Sequence, residues 1–550
     1  MHIIIYIISG LLVLVSRAPA QNTIGLILNE PESFIGYTLF SPKTSTATYL
    51  INNDGLLINH WESSFVSSLT VYLLNDGHLL RSAAVESDSD NRTGGFQKFS
   101  WDNTLVWEFY YGSQHHDIEA LPNNNVLMLI SDVKTSNDAL VAGRNPATIL
   151  SSSFRSLGIL EIAQVGSDSG IIVWEWWAWD HLVQDFDETL FNYGNVSQHP
   201  ELIDINFPND SISDWLHTNS IDYHSGYDQI IISNRNTNEI WIIDHSTTIA
   251  EAASHNGGNS GMGGDILYRW GNPLSYRAGD LNDKKLFGQH DAHWIEPELN
   301  GANNIMIFNN GLGRPNGGFS TICEILPPMD TLGHYSLMLG EAFEPNEPFW
   351  NYSTEDSLSF FSPHYGSAQR LPNGNTIICM ADSGSFFEIT PTFDVVWKYI
   401  NPVSQDGILF QGESAVFNKV SRCYRFAPDY PGLINQDLTP GAPIEQYLRN
   451  NELESSSPIK YRIFTNYPNP FNPVTTLRYD LPENALVNIT IYDIMGRVVN
   501  NLVNGQETAG YKSVQWDATN NQGQPESAGV YLFKIQAGNF SQTKKMVLLK

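Results

Sequence analysis

Histidines stand beside acidic, aromatic or amide residues at four places along this chain. The four segments are residues 114–118 (QHHDI), 214–220 (DWLHTNS), 289–294 (QHDAHW) and 362–367 (SPHYGS). Each segment comes just before a strand-like stretch, so we expect these histidines to occupy the same place in a repeated unit. A neutral imidazole is a nucleophile and a proton acceptor near neutral pH. The pattern predicts one site that is built from several histidines.

Two arginines belong to the same pattern. Arg235 ends the strand-like segment that follows His217, and Arg314 ends the one that follows His290. Cations are scarce in this chain, which has 29 Lys and Arg against 59 Asp and Glu and a formal net charge of −30. A guanidinium matches a tetrahedral oxyanion with two parallel hydrogen bonds. Arginines beside histidines therefore predict an anion site, and the alternative is an ion pair between neighbouring repeat units.

The composition limits the class of protein. A chain this acidic repels phosphate backbones, which argues against binding to nucleic acid. The 42 Gly, 14 Trp and 24 Tyr favour many short strands joined by tight turns. The three cysteines, Cys323, Cys379 and Cys423, form no CxxC pair, so neither a disulfide framework nor a thiolate zinc site is expected.

A degenerate repeat extends from about residue 45 to 430. Its clearest copy covers 370–399, where a Leu-Pro-Asn-Gly-Asn turn is followed by strand-like runs and a closing aromatic. About six copies of such a three- or four-stranded unit predict an all-β fold, a six-bladed β-propeller over residues 21–445. Two stacked sandwiches are the alternative. In a propeller, the residue that enters the first strand of each blade faces the central channel, so the histidines would surround one axis.

Both ends of the chain differ from this region. Residues 1–20 combine an apolar run with a final Ala-Pro-Ala and predict a signal peptide, hence export. No other segment is long and apolar enough to span a membrane. Residues 446–460 have the composition of a linker, and residues 461–550 alternate with period two, as in a small C-terminal β-sandwich.

The C-terminal region contains four short motifs, 467–473 (YPNPFNP), 491–497 (IYDIMGR), 528–531 (AGVY) and the basic tail 544–550. With these motifs it closely resembles the C-terminal sorting domain of the type IX secretion system. The resemblance implies a partner, the type IX machinery, and a location outside a Gram-negative cell, secreted or at the cell surface. An ordinary adhesion-type sandwich is the alternative.

The region from about 45 to 433 resembles the bacterial arylsulfate sulfotransferases. The motifs that carry the resemblance are 214–220 (DWLHTNS), 233–235 (SNR), 289–294 (QHDAHW), 308–314 (FNNGLGR), 371–375 (LPNGN) and 424–430 (YRFAPDY). The resemblance implies a six-bladed propeller that moves a sulfuryl group from an aryl sulfate donor to a phenolic acceptor. It also implies a ping-pong route through a sulfohistidine, without a nucleotide donor, a metal or another cofactor.

The resemblance also implies roles for individual residues. His290 is expected to be the nucleophile, and His217, His116 and Arg235 are expected to assist it. We expect five further residues to bind substrate, namely His115, Arg314, His293, His364 and Asn219. Two choices stay open at this point, between His115 and His116 and between His290 and His293 as the residue that faces the channel.

Two other classes of function compete with the transferase. Histidines paired with Asp117 and Asp291 could hold a metal ion, as in hydrolytic propellers. A propeller without catalysis could instead bind glycans or proteins at the cell surface. Arg235 and Arg314 suit an oxyanion better than a cation, so the sequence favours the transferase.

Overall fold

A computed structural model describes residues 22–86, 93–149, 151–209, 213–338, 340–354, 356, 359–446, 461–464, 466 and 469–549. The chain divides into two compact units, 1–446 and 447–550. The predicted signal peptide, 1–20, lies outside the described residues, and so does the predicted linker except for Gln446.

In its described residues the first unit contains six antiparallel sheets of four or five strands, which we number in chain order. Sheet 1 joins a strand from the far end of the unit to three early strands, in the spatial order Val420–Phe426, Tyr37–Pro42, Ala47–Asn52 and Leu57–Glu62. Sheet 2 contains Ser67–Leu73, Leu79–Glu86, Thr93–Phe99 and Leu105–Tyr110. Sheet 3 contains Gln114–Ala120, Val126–Thr135, Ser153–Gln164 and Gly170–Trp177.

The remaining three sheets follow the same up-and-down order. Sheet 4 contains Thr218–His224, Gln229–Asn234, Glu239–Asp244 and Ile266–Trp270. Sheet 5 contains His290–Trp294, Ile305–Asn309, Thr321–Ile325 and Trp350–Tyr352. Sheet 6 contains Ser367–Arg370, Thr376–Met380, Ser385–Ile389 and Val395–Ile400, with the early strand Gly25–Asn29 added at its outer edge.

Short elements connect these sheets. Two small ladders pair Leu182–Val183 with Ile203–Asp204 and Val403–Ser404 with Gly407–Ile408. The α-helices are Ser136–Val141 and Ile249–Ala252, and the 3₁₀ turns are Pro146–Thr148, Ala178–His181, Val196–Gln198, Pro273–Tyr276, Ala381–Ser383 and Pro431–Leu433. Among the residues that the structure describes, no helix has the length and apolar character needed to cross a membrane. The chain is therefore dominated by strands, which confirms the all-β prediction.

Apolar side chains fill the space between consecutive sheets. In Gln229–Asn234, Ile230 and Ile232 pack in the cluster between sheets 3 and 4, whereas Ile231 packs in the cluster between sheets 4 and 5. Successive side chains of a strand point to opposite faces, so a strand covered on both faces is apolar throughout. The other clusters join sheets 1 and 2, 2 and 3, 5 and 6, and 6 and 1.

The first strands of the six sheets contact one another in a closed cyclic order, from sheet 1 through sheet 6 and back to sheet 1. At four of these contacts a side-chain oxygen accepts a hydrogen bond, 3.0–3.2 Å long, from a backbone amide of the next first strand. The acceptors and amides are Asp117 with Ile221, Ser220 with Ala292, Asp291 with Ala368, and Ser367 with Cys423. These equivalent bonds fix the strands at the same height.

One guanidinium ties opposite parts of this ring together. Arg422 Nη2 donates to Asp117 Oδ2 at 2.6 Å, and Arg422 Nε lies 3.1 Å from Asp291 Oδ1. Arg422 is 7% exposed and both aspartates are buried. Burial opposes the charge of Arg422, but Asp117, Tyr424 and Asp291 raise its pKa well above the usual range. Two buried carboxylates therefore depend on one cation that the last strand of the unit supplies.

The second unit consists of two antiparallel sheets that share one apolar core. One sheet contains Arg462–Ile463, Thr475–Leu481 and Gly510–Trp516. The other contains, in spatial order, Val498–Glu507, Ala485–Asp493, Gly529–Ala537 and Phe540–Leu548. Leu477 and Trp516 of the first sheet belong to the same buried cluster as Ile489 and Phe533 of the second. This is the arrangement of a small β-sandwich.

We expect Arg422→Met to destabilise the first unit strongly. The substitution keeps the volume of the side chain but leaves Asp117 and Asp291 buried without their cation. Removing one partner of a buried ion pair costs about 3–5 kcal/mol. The free energy of unfolding in urea measures the loss.

The control is Lys285→Met, because Lys285 pairs with the exposed Glu347. An exposed pair contributes about 0–1 kcal/mol, so this variant should unfold close to the wild type. Equal, small losses in both variants would contradict a central role of Arg422 in holding the ring.

Candidate functional site

His290 opens the first strand of sheet 5, where the ladder with Ile305–Asn309 is interrupted between His290 and His293. The His290 ring faces Asn310. His290 Nδ1 lies 2.8 Å from Asn310 Oδ1 and 3.1 Å from Gly288 O. Both neighbours are oxygen acceptors in this orientation of Asn310.

The orientation of the Asn310 amide follows from its other contacts. Its Nδ2 donates to Ser362 O at 2.7 Å and to Tyr365 O at 2.6 Å, and a backbone carbonyl can only accept. Asn310 Oδ1 is therefore the acceptor that faces His290, so His290 Nδ1 carries the proton. In a neutral imidazole the other nitrogen, Nε2, then keeps its lone pair.

The surroundings keep His290 neutral. The pKa of His290 is lowered to about 3, mainly by burial; the bond to Asn310 opposes this shift, and the positive charge of Arg235 contributes to it. Burial also lowers the pKa of His115 to about 4 and that of His116 well below its usual range. Desolvation disfavours the charged form of a histidine. These three rings are therefore uncharged at neutral pH.

His116 and His217 extend the cluster. The two rings meet edge to face with their centroids 4.7 Å apart, and both residues have left-handed backbone, with φ of 53° and 47°. His217 Nδ1 lies 2.6 Å from Asp214 Oδ2. A carboxylate accepts, so this bond directs the proton of His217 to Nδ1 and turns Nε2 away from Asp214.

A cation and a phenol also lie close to His290. Burial lowers the pKa of the partly buried Arg235, and the charges of Asp214 and Tyr365 oppose this shift. The Tyr365 ring centroid is 5.7 Å from that of His290. Lys43 Nζ donates to the Tyr365 hydroxyl. The site thus places an arginine and a lysine–tyrosine pair around an uncharged imidazole.

Two of the residues predicted to bind substrate touch this group. His115 Nδ1 lies 2.8 Å from His116 Nδ1, so one ring donates to the other. Asn219 Nδ2 donates to Gln289 O at 2.8 Å, directly before His290. Asn219 Oδ1 is buried, and among the described residues it has no hydrogen-bond partner. Asn219 thus both supports the backbone of His290 and offers a free acceptor.

The structure places the other three in separate surroundings. His293 Nδ1 lies 3.0 Å from Asp291 O, and the charge of His293 opposes the rise in the pKa of the half-buried Asp222. His364 is exposed and lies 3.5 Å from Asp382 Oδ2. The Arg314 guanidinium packs over Phe287 and Phe319, with its central carbon 4.9 and 4.4 Å from the two ring centroids.

Sequence reasoning did not single out Asn310, Tyr365, Lys43, Asp214 or Arg422. Asn310 directly follows the strand that pairs with His290, which is the signal that could have identified it. Tyr365 has left-handed backbone, with φ of 54°, as His116 and His217 have, so it and not His364 shares their conformation. Nothing in the sequence around Lys43 points to this site.

The group has the parts that an attack on an anionic centre needs. Nε2 of His290 carries a lone pair on an uncharged ring, Arg235 can neutralise an oxyanion, and Asp214 orients His217. Asp117 and Asp291 are bound to Arg422. A cation is therefore already supplied to these two carboxylates by the chain itself.

Comparison with known proteins gives the following similarities. The family model described as Arylsulfotransferase (ASST) matches residues 41–406, and that of the FlgD Ig-like domain matches residues 473–541. No curated protein matches the chain.

Several solved structures are similar to it. A protein of unknown function from Bacteroides caccae is 10% identical over 71% of this chain and 99% of its own, with a TM-score of 0.38. A streptogramin B lyase is 11% identical over 74% of this chain and 96% of its own, with a TM-score of 0.32. FlgD from P. aeruginosa is 29% identical, covers 14% of this chain and is covered over 58% of its own length, with a TM-score of 0.12.

We expect His290 to make stability depend on pH. Its pKa is about 3 in the folded chain, below its value of about 6.5 when unfolded, so protons favour the unfolded state. The stabilisation is complete above pH 6.5 and is lost as the pH falls. Between pH 7 and pH 5, protonation of His290 in the unfolded chain lowers the free energy of unfolding by about 2 kcal/mol. The unfolding free energy of His290→Asn should therefore fall by about 2 kcal/mol less over this range than that of the wild type.

The matched control is His334→Asn, which removes a histidine whose side chain is 47% exposed. It should keep the pH dependence of the wild type, measured by urea unfolding at each pH. The same pH dependence in His290→Asn and the wild type would contradict a buried, neutral His290.

Proposed function

This chain belongs to the arylsulfotransferase family, and we propose that it moves a sulfuryl group from an aryl sulfate to a phenol through a covalent intermediate on His290. The observation that carries the proposal is the contact of His290 Nδ1 with Asn310 Oδ1, because it assigns the proton to Nδ1 and leaves the lone pair of Nε2 for attack. Such an arrangement suits a nucleophile that must be neutral before the reaction and cationic during it.

We also propose that the first unit is a six-bladed β-propeller. In support, six antiparallel sheets follow one another, six apolar clusters join consecutive sheets, and the first strands contact one another in a cycle. The strand Val420–Phe426 would close the ring by completing sheet 1. In this arrangement the histidine cluster lies around the channel.

The first half-reaction is an in-line displacement at sulfur. His290 Nε2 attacks the sulfur atom, the bond between sulfur and the aryl oxygen breaks, and its electron pair leaves with the phenolate. Nε2 then carries the sulfuryl group, and the ring becomes cationic while Nδ1 still donates to Asn310 Oδ1. Arg235 and His116 are the groups that would hold the sulfuryl oxygens in the transition state.

The second half-reaction returns the enzyme to its starting state. The acceptor phenol gives its proton to His217 Nε2, whose ring Asp214 orients. The phenolate oxygen attacks sulfur, the bond between nitrogen and sulfur breaks, and its electron pair returns to His290 Nε2. His217 Nε2 then releases this proton to solvent, where the phenolate from the first step takes it up, so the ring is neutral again and the two half-reactions balance.

Neither step as written requires a nucleotide or a metal ion. The metal-dependent alternative would use Asp117 and Asp291 as ligands, but Arg422 already supplies a cation to both carboxylates, which argues against that alternative. Lys43 and Tyr365 are placed to act on the aryl oxygen of donor or acceptor, since the Tyr365 ring lies beside that of His290.

We propose that the chain is exported and that residues 461–550 direct it to the type IX machinery. The two-sheet sandwich and the motif residues that it contains support this role. The predicted signal peptide would direct the chain across the inner membrane, and the sandwich would direct it across the outer membrane.

His290→Asn should abolish the release of phenolate from a chromogenic aryl sulfate. Asparagine keeps a polar group but has no nucleophilic nitrogen, and loss of a covalent nucleophile lowers turnover by roughly 10³-fold or more. In the wild type, an alkaline denaturing quench during turnover, followed by mass spectrometry of the peptides at alkaline pH, should find the sulfuryl group on His290.

His334→Asn is the control, since it lies on an exposed pair with Asp330 and should keep full turnover. Full activity of His290→Asn, or a sulfuryl group found on another residue, would contradict the proposed role of His290. Loss of activity without any trapped group would point to direct transfer from donor to acceptor.

Deleting residues 447–550 should prevent passage across the outer membrane in a host with a type IX system. The truncated chain should stay in the periplasm, while the full chain reaches the medium or the cell surface, as measured by fractionation and blotting. His290→Asn in the full chain is the matched control and should be exported normally. Equal export of the truncated and full chains would overturn this assignment.

A further inference from the structure

Three potential metal ligands meet between sheets 3 and 4, among residues that the proposed reaction does not use. Asp265 Oδ1 lies 2.7 Å from His181 Nδ1 and 2.8 Å from His255 Nδ1. The ligand atoms of these residues all lie within 4.8 Å of one another. His181 and Asp265 are buried, while the side chain of His255 is 56% exposed.

The hydrogen bonds of His181 show what must lie between it and Asp265. His181 Nε2 is 2.8 Å from the carbonyl oxygen of Ala252, which can only accept, so Nε2 carries a proton. A neutral His181 therefore has a bare lone pair on Nδ1, aimed at a carboxylate oxygen. Two lone pairs at this distance repel unless a proton or a metal cation lies between them.

This bonding pattern is also that of a metal-ligating histidine. Such a histidine donates its second ring N–H to a backbone carbonyl or a carboxylate, which fixes the tautomer and the plane of the ring. Trp176 stacks on His181 with an interplanar angle of 7°, which fixes that plane further. Trp176 Nε1 in turn donates to Gly264 O, directly before Asp265.

The surrounding loop is built to bring the ligands together. His181 ends the 3₁₀ turn Ala178–His181, Asp265 precedes the last strand of sheet 4, and His255 follows the helix Ile249–Ala252. At Gly264 a Cβ would lie 2.0 Å from Ala252 O and 2.7 Å from His181 Nε2. Any larger residue there would displace the ring, so glycine is required for this approach.

We propose that His181 Nδ1, His255 Nδ1 and Asp265 Oδ1 bind one divalent transition-metal ion of the zinc type. Two imidazoles and one carboxylate are a ligand set that Zn²⁺ takes and that Mg²⁺ and Ca²⁺ do not favour. Zinc–ligand bonds of about 2.0–2.2 Å hold ligand atoms about 3.2–3.5 Å apart. Asp265 Oδ1 therefore moves about half an ångström away from each imidazole nitrogen when the ion replaces the shared protons.

The exposure of His255 leaves one side of this ion open to solvent, where water completes the coordination. The ion clips the glycine-rich segment 256–264 to the 3₁₀ turn after sheet 3. Because the three ligands come from three separate segments, zinc binding stabilises the folded chain. Zinc affinity and the melting temperature therefore measure this binding without an assay of sulfuryl transfer.

The test is zinc binding by the full-length protein after removal of metal with a chelator. Competition with a zinc-responsive dye should show one equivalent of Zn²⁺ per chain, and adding Zn²⁺ should raise the melting temperature. His255→Ala removes only the exposed ligand, so it should fold, should bind Zn²⁺ at least 10-fold more weakly and should lose the zinc-dependent rise in melting temperature.

The matched control is His334→Ala, which removes an exposed histidine that also faces a carboxylate, at 3.2 Å. It should bind Zn²⁺ as the wild type does. Unchanged affinity in His255→Ala, or no bound equivalent in the wild type, would overturn the proposal and leave a His181–Asp265 ion pair. Because no step of this test uses turnover, its failure is separate from failure of the proposed transferase activity.

Discussion

The contact of Arg422 with Asp117 and Asp291 is the interaction on which the rest of the first unit depends. It joins the last strand of the unit to the first strands of sheets 3 and 5. The same aspartates accept hydrogen bonds from Ile221 and Ala368, one sheet further along. Because each strand end is held by its neighbour and by the shared cation, the histidines that enter these strands have fixed positions.

Burial then sets the chemistry of those histidines. His116 directly precedes Asp117, and His290 directly precedes Asp291. The aspartates that hold the cycle of strands together therefore also fix the positions of these two imidazoles. Desolvation keeps His290 neutral, and Asn310 decides which nitrogen is free. The same burial would destabilise a charged sulfohistidine unless nearby groups donated hydrogen bonds to it. Arg235 and the Lys43–Tyr365 pair are the groups that would do so.

The sequence carries much of the fold and part of the site. The repeated turn-and-strand pattern contains the periodicity of the sheets, and His217, Arg235 and His290 lie in motifs that local reading can find. Asn310 follows the strand that pairs with His290, so that pairing could have identified it. Lys43 and Arg422 reach the site from distant segments, and only the closed order of the strands brings them there. Tyr365, the neighbour of the expected His364, is the residue whose ring lies beside His290, and its left-handed backbone conformation could not be predicted from the sequence. The packing of Arg314 on two phenyl rings likewise depends on the loop between strands of sheet 5.

The order of events at His290 is the central claim, and rapid mixing of the protein with excess aryl sulfate in the absence of a phenol tests it most directly. We expect a fast burst of one phenolate per chain, at a rate that added acceptor does not change. Further phenolate should then be released slowly until a phenol is supplied. Release that begins only when the acceptor is present, with no burst, would contradict a covalent intermediate on His290.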